Sequence, residues 1–238
     1  APQGQLWGNP VYKWDVLKQQ EYAWWLQRFE RSFDLYDFTR LDHFIGFTSF
    51  YDVQSGHAAS EGSDVFGPGL DLFRVAFQHF GALPLIAEDL GSITPAVRAL
   101  LAETGIPGMS VAVFSNQDPR ECFEANLETI VYTSTHDTPT LAGYLKRRFI
   151  YPDDEDAWCD GSFDEKTHEA FERVLKNVLT LPNDVAVIPL QDILGLDDSA
   201  RMNVPGTVEG NWAWRCPSGM LTSAVAERLR ALAKHVAR

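Results

Sequence analysis

Two hydrophobic periods alternate along the chain. Continuous apolar runs suit strands covered on both faces, and apolar residues spaced three and four apart suit helices with one buried side. Residues 14–33 predict a helix, with Leu17, Tyr22, Trp25, Phe29 and Phe33 near helical spacing, and 35–41 predict a strand that ends on Asp42. A polar, Gly-rich loop over 54–69 precedes a helix over 70–80 that carries Leu70, Phe73, Phe77 and Phe80 on one side and stops at Gly81. Residues 83–87 form the next strand run. Thr94 and Pro95 then open a helix as its cap and first-turn proline, and Gly105 closes it. Further apolar runs at 109–114 and 129–133 precede a helix from about residue 139 to 149, and the acidic stretch 151–165 reads as an exposed loop. Asp164 is placed to cap a helix that buries Phe171, Val174, Leu175 and Val178. A fifth strand over 185–190 follows, and then a last helix over 222–236 with Val225, Leu229, Leu232 and Val236 on one face.

Five strands separated mostly by helices predict parallel βα units. A closed barrel needs eight strands, so either three more go unseen or the chain is part of a barrel. No linker, repeat or low-complexity tract divides residues 1–238, and no second domain is evident.

Charge narrows the partners. Lys and Arg total 20 against 33 Asp and Glu, a net charge of −13. That balance disfavours phosphate backbones and anionic membrane surfaces alike. No charge-free run is long enough for a spanning helix, and Ala1-Pro2-Gln3-Gly4-Gln5 lacks the basic and apolar regions of a signal peptide. Cys122, Cys159 and Cys216 form neither a CxxC metal pattern nor a disulfide framework, and they fit scattered buried thiols in a reducing cytoplasm. No GxGxxG or P-loop pattern calls for a cofactor. Seven Trp, seven Tyr and fifteen Phe mostly serve as core, with a few available as flat platforms for sugar rings.

The candidate chemistry lies at three strand ends: Arg40-Leu41-Asp42-His43, Ala87-Glu88-Asp89-Leu90-Gly91 and Thr135-His136-Asp137. At one face of a parallel barrel such junctions bring distant carboxylates together. Retaining glycosidic cleavage needs this equipment: one carboxylate as nucleophile and one carboxylic acid to protonate the leaving oxygen, roughly 5 Å apart. The acid must keep its proton near neutrality, through burial or a neighbouring negative charge. Any single carboxylate of this kind could instead cap a helix or pair with an Arg, and Asp89 suits such a cap. Asp42, His43, Glu88, His136 and Asp137 are also metal-ligand types, but no HxH or HxxxH pair accompanies them, so no metal is expected.

These motifs, together with Arg201-Met202-Asn203-Val204-Pro205-Gly206, resemble those of the 4-alpha-glucanotransferases (amylomaltases, or disproportionating enzymes) of glycoside hydrolase family 77. Further agreement runs through Gly4-Gln5-Leu6-Trp7-Gly8-Asn9-Pro10, Gly105-Ile106-Pro107-Gly108-Met109 and Gly210-Asn211-Trp212-Ala213-Trp214-Arg215, in the family's order. The resemblance implies a (β/α)8 TIM-barrel fold of which this chain supplies strands four to eight, a C-terminal portion without the front of the barrel. It also implies a cofactor-free double displacement on maltooligosaccharides or glucans derived from starch and glycogen. Asp42 would be the nucleophile, Glu88 the acid and then the base, and Asp137 would hold sugar hydroxyls and favour the distorted ring of the transition state, with all three gathered at one glucose ring. Arg40 and His136 would sit beside these carboxylates, Arg40 keeping Asp42 ionised, and His43 and Asn203 would contact sugar. Trp7 would line the glucan path, although a plain core role suits it as well. Ile45 stands where the family usually has Arg, and Phe50-Tyr51-Asp52-Val53 stands where Trp followed by Ile-Pro is common. An α-glucan hydrolase of the α-amylase type would use the same three carboxylates, and a non-catalytic glucan-binding fragment is the reading from outside enzymology. Either the chain is a fragment of a longer enzyme or another polypeptide completes the barrel, and a missing N-terminal portion of the same enzyme is the partner implied.

Overall fold

The computed structural model describes residues 8–115, 123–149 and 165–234 and shows a mixed α/β fold in two compact units, 1–109 and 110–238. In the first unit the elements are α1 (Trp14–Gln19), α2 (Ala23–Leu35), β1 (Thr39–Leu41), β2 (Ser49–Asp52), β3 (Ser63–Phe66), α3 (Leu70–Phe80), β4 (Leu85–Ala87) and α4 (Pro95–Thr104). β5 (Gly108–Val111) runs across the boundary between the units. β6 (Thr129–Tyr132), α5 (Leu141–Phe149), α6 (Glu165–Thr180), β7 (Ala186–Val187), α7 (Leu190–Leu194) and α8 (Ser223–Ala233) follow in the second. No helix among the described residues is long and apolar enough to cross a membrane.

β1 and β4 pair in parallel, with Leu41 opposite Ala87. β6 and β7 are also parallel and form a three-stranded sheet in the order β5-β6-β7. None of the sheets closes on itself among the described residues, and one is not parallel: β2 and β3 form an antiparallel ribbon, Ser49 opposite Phe66 and Asp52 opposite Ser63. The residues of β3 lie in the segment expected to be loop. All four of its residues are exposed, so no apolar alternation marks it, and only the backbone ladder makes it a strand.

Helix ends follow local chemistry. Thr94 caps α4 by accepting from Val97 N, Pro95 takes the first position, and Gly105 ends the helix at φ 64°, as the sequence predicts. The expected single helix over 14–33 is broken instead, because Glu21 and Tyr22 take the left-handed conformation, φ 51° and 55°. Tyr22 is buried at 3% exposure, which gives that non-glycine turn a packing compensation. α2 then continues to Leu35, so β1 is shorter than the expected 35–41 run; Leu35, Tyr36 and Phe38 remain exposed. The expected strand over 185–190 shortens to Ala186–Val187, and Pro189 leads into α7.

The first unit's core is mostly rings. Trp25 lies 5.5 Å from Phe29 and 5.4 Å from Phe47, and Phe44 lies 5.5 Å from Phe73, centroid to centroid. Phe44 and Phe73 are fully buried, each worth roughly 1.5–3 kcal/mol in burial alone. Phe44 comes two residues after Asp42, so its ring anchors the loop that leaves β1.

In the second unit α5 packs on α6, with Leu141 and Leu145 buried on one and Phe171, Val174, Leu175 and Val178 on the other, the face read from the sequence. Of the apolar side expected for the last helix, Val225, Leu229 and Leu232 are not buried and Val236 lies outside the described residues; α8 is held by Arg228, which donates to Ile193 O at 2.6 Å and pairs with Glu172. Cys216 is a free, half-buried thiol, while Cys122, Cys159, Asp164 and the rest of the acidic stretch over 151–164 lie outside the described residues, and Glu165, expected to end that loop, begins α6.

Candidate active site

The first cluster grows from the register of two short strands. Leu41 and Ala87 are the last paired residues of β1 and β4, both buried, so Asp42 and Glu88 stand at the same level one residue beyond. Adjacent strands lie about 4.8 Å apart, which makes these two positions neighbours. The ladder carries on through them, because Glu88 N donates to Leu41 O at 2.9 Å and Phe44 N donates to Glu88 O at 2.9 Å.

The turn after Asp42 is shaped to reach Glu88. His43 adopts φ 50°, and in that conformation its N–H donates to Glu88 Oε2 at 2.8 Å. A β-carbon at Gly46 would stand 3.1 Å from the His43 ring, so the small residue there leaves the imidazole its place. Arg40 Nη1 donates to Asp42 Oδ1 at 2.8 Å. The Asp42 side chain is 76% exposed, so this ion pair adds little to stability, and its effect is to aim the carboxylate.

Arg40 is itself held from behind. Its Nε points at Met109 Sδ, 3.4 Å away, and Met109 N donates to Asp89 Oδ1 at 2.7 Å. Asp89 is therefore bound to the start of β5 and does not cap a helix. Burial pushes its carboxyl above the usual carboxylate range, and the Met109 N–H works against that shift. Gly108 makes the contact possible, since a β-carbon there would fall 2.4 Å from the Asp89 carboxylate.

The second cluster lies wholly in residues 110–238 and follows β6. Asp137 Oδ1 accepts from Asn203 Nδ2 at 2.7 Å, and Asp137 Oδ2 lies 3.2 Å from His136 Nε2. Two backbone oxygens of the same turn are also occupied: Arg201 Nη2 donates to Asp137 O at 3.0 Å, and Asn203 N donates to His136 O at 3.0 Å. The His136 ring meets Trp212, centroids 5.2 Å apart. Trp212 is a non-glycine residue at φ 59° and more than half exposed, with its N–H on Met202 O at 2.6 Å, and it presents a ring at the surface beside the histidine. A cavity of about 200 Å³ opens here, lined by Ser134, Thr135, His136, Gln191, Arg201 and Met202. Burial draws the Arg201 guanidinium below its ordinary range.

Carboxylates at neighbouring strand ends, braced by Arg and a backbone N–H, can serve as a nucleophile and proton donor pair. A further carboxylate flanked by Asn, His and an exposed Trp can hold hydroxyls and a sugar face. The family model described as 4-alpha-glucanotransferase, glycoside hydrolase 77, matches residues 1–222. The chain belongs to the 4-alpha-glucanotransferase family. The 4-alpha-glucanotransferase of Streptococcus pneumoniae is 37% identical over 235 residues, a match covering 95% of this chain and 46% of that protein. That of Thermus thermophilus is 38% identical over 245 residues, covering 97% and 48%. Among solved structures, the amylomaltase from Streptococcus agalactiae in complex with acarbose superposes with a TM-score of 0.82 at 30% identity, covering 97% of this chain and 47% of that one. This family member thus spans about half the length of the curated relatives it matches.

Of the residues singled out in the sequence, Arg40, Asp42, His43 and Glu88 come together in the first unit, and His136, Asp137 and Asn203 in the second. Trp7 lies outside the described residues. Arg201 and Trp212 had no role assigned from the sequence, although both sit in the family-like motifs. Asp89, expected at most as a cap, turns out to support the Arg40 side.

Proposed function

We propose that this chain carries the catalytic carboxylates of a 4-alpha-glucanotransferase that moves α-1,4-glucan segments between maltooligosaccharides by a retaining double displacement. The observation that carries this reading is the parallel register of β1 on β4, which sets Asp42 and Glu88 side by side one residue past the last paired residues. Retention calls for two carboxyls within roughly 5 Å of one another, and paired strand ends are a place where two such groups can be neighbours.

In the first step an Asp42 carboxylate oxygen attacks the anomeric carbon as the glycosidic C–O bond breaks, and the proton of Glu88 passes to the departing glucan oxygen. In the second, Glu88 takes the proton of an acceptor sugar hydroxyl while that oxygen displaces Asp42 and restores the α-linkage. Arg40 aims Asp42, and the His43 N–H holds Glu88. Asp137, with His136 and Asn203, binds hydroxyls of the sugar ring and favours its distorted shape in the transition state, His43 adds a further sugar contact, and Trp7 lines the path of the chain. The finer fold belongs to the same proposal: one (β/α)8 barrel, with this chain supplying its fourth to eighth strands in the cytoplasm. The two parallel pairs and the helices between strands support it, as does the match to half of each relative. The remaining strands would come from an N-terminal portion of the same enzyme.

Maltotriose distinguishes the outcomes. Incubated with the chain, alone and with a front-half polypeptide taken from a relative, it is expected to yield glucose plus glucans longer than the starting sugar. Glucose and maltose alone would establish the hydrolase instead, and no turnover with either preparation would leave the glucan-binding reading in place.

A further inference from the structure

We propose that Asp192 and Asp198, two buried carboxylates that do not face the open site, are positioning residues which fix the turn carrying His136 and Asp137; their bearing on turnover rests on the sugar-binding role given to Asp137 above. The turn over 135–140 joins β6 to α5, and both its shoulders are gripped by the same side chain. On the incoming side, Thr133 Oγ1 and Ser134 Oγ each donate to Asp192 Oδ2 at 2.6 Å. On the outgoing side, Leu141 N donates to Asp192 Oδ1 at 2.8 Å. Asp198 takes the next bond inward, with Thr140 N donating to its Oδ1 at 3.0 Å, and its other oxygen pairs with Arg147 about two helical turns further along α5.

These groups are deeply placed, Asp192 at 0% and Asp198 at 6% exposure. A carboxylate withdrawn from water is costly unless donors surround it, and hydrogen bonds to an ionised acceptor are about twice as strong as neutral ones. The burial of Asp192 is therefore offset only while the turn keeps its present shape, and that of Asp198 in part. Burial pushes the Asp192 carboxyl upward, the Ser134 and Thr133 hydroxyls and the Leu141 N–H oppose the shift, and the nearby Asp198 charge adds to it. Gly143 clears the approach of Asp198, because a β-carbon there would lie 2.3 Å from the carboxylate.

The chain that supplies these carboxylates also supplies the polar partners at the tip of the turn. Three residues after Asp198, Arg201 reaches Asp137 O, and Asn203 binds both His136 O and the Asp137 side chain. Residues 192–203 thus run along the turn as a brace, gripping its ends with carboxylates and its tip with Arg and Asn. Asp192 touches neither His136 nor Asp137. Its influence passes through the backbone shoulders.

Asp192→Asn tests this. The amide keeps the shape but replaces one twice-accepting oxygen with a donor. By hydrogen exchange and mass spectrometry, amides of 135–141 are expected to exchange at least about ten-fold faster, while α6 stays within about two-fold of the parent. In the preparation that turns over maltotriose, kcat should fall by about 10–100-fold with KM nearly constant, the mark of a displaced group. Ser134→Ala removes one donor and leaves the carboxylate; it should loosen the same amides to a smaller degree and serves as the test if Asp192→Asn does not fold. Unchanged exchange at 135–141, or equal acceleration through α6, overturns the proposal. So does loosening of the turn with kcat unaltered. Should the parent turn over no maltotriose, the transferase reading fails by itself, and the exchange pattern still decides whether the brace exists.

Discussion

Asp42→Asn is expected to reduce glucan transfer by ~10⁴-fold or more, because an amide neither attacks the anomeric carbon nor leaves as a carboxylate in the second step. The folded state should hardly notice. Asp42 is largely exposed and its ion pair with Arg40 is of the surface kind, so the change in stability should stay within about 1 kcal/mol. Turnover of maltotriose and a thermal melt on the same sample test both halves of the expectation. Activity near the parent's level would remove Asp42 from the nucleophile's place, and a collapsed melt would show that its role is structural.

Glu88→Gln is expected to cost about 10²–10⁴-fold with ordinary glucans, the usual share of general acid–base catalysis. The glutamine carbonyl can still accept from His43 N, so the turn between β1 and β4 should hold and the loss should be chemical. A maltosyl fluoride separates the two functions of this residue. Fluoride leaves without protonation, so the first step should recover much of its rate in Glu88→Gln while transfer to an acceptor sugar stays slow. Equal losses with fluoride and glucan donors would mean that Glu88 acts by holding the site together and not by moving a proton.

Much of this fold was legible because its helices carry their own punctuation. α3 and α4 occur where the periodicity, Thr94-Pro95 and the glycines at 81 and 105 set them. The buried side of α6 was equally plain, with four apolar residues at helical spacing that all turn out buried. What escaped had no local signal. β3 has no buried residue, so nothing in its composition separates it from a loop. The break between α1 and α2 falls on Glu21 and Tyr22, residues that ordinarily avoid the left-handed region, and tertiary packing of Tyr22 settles it. α8 misled in the opposite sense: its apolar spacing is real, and it stays largely uncovered among the described residues.

The site divides in a similar way. Arg40, Asp42, His43 and Glu88 sit beside the ends of apolar strand runs, and position together with the family-like motifs was enough to single them out. The partners of the His136-Asp137 turn were harder to see, because they are long-range: Asp192 meets Thr133 across 59 positions and Asp198 meets Thr140 across 58. No periodicity links residues so far apart, and a buried Asp is spelled like a solvated one. Asp89 is the intermediate case. Its neighbourhood drew attention, but its link to Met109 depends on the missing side chain at Gly108.

The most direct test is to trap the intermediate. A slow 5-fluoro maltosyl fluoride, given to the chain in whichever preparation turns over maltotriose, should leave a glycosyl group esterified to one carboxylate, located by peptide mass spectrometry. That ester is expected on Asp42, in the peptide that also contains Arg40 and His43. An ester on Glu88, Asp137 or any other residue, or continued turnover with none formed, would contradict it.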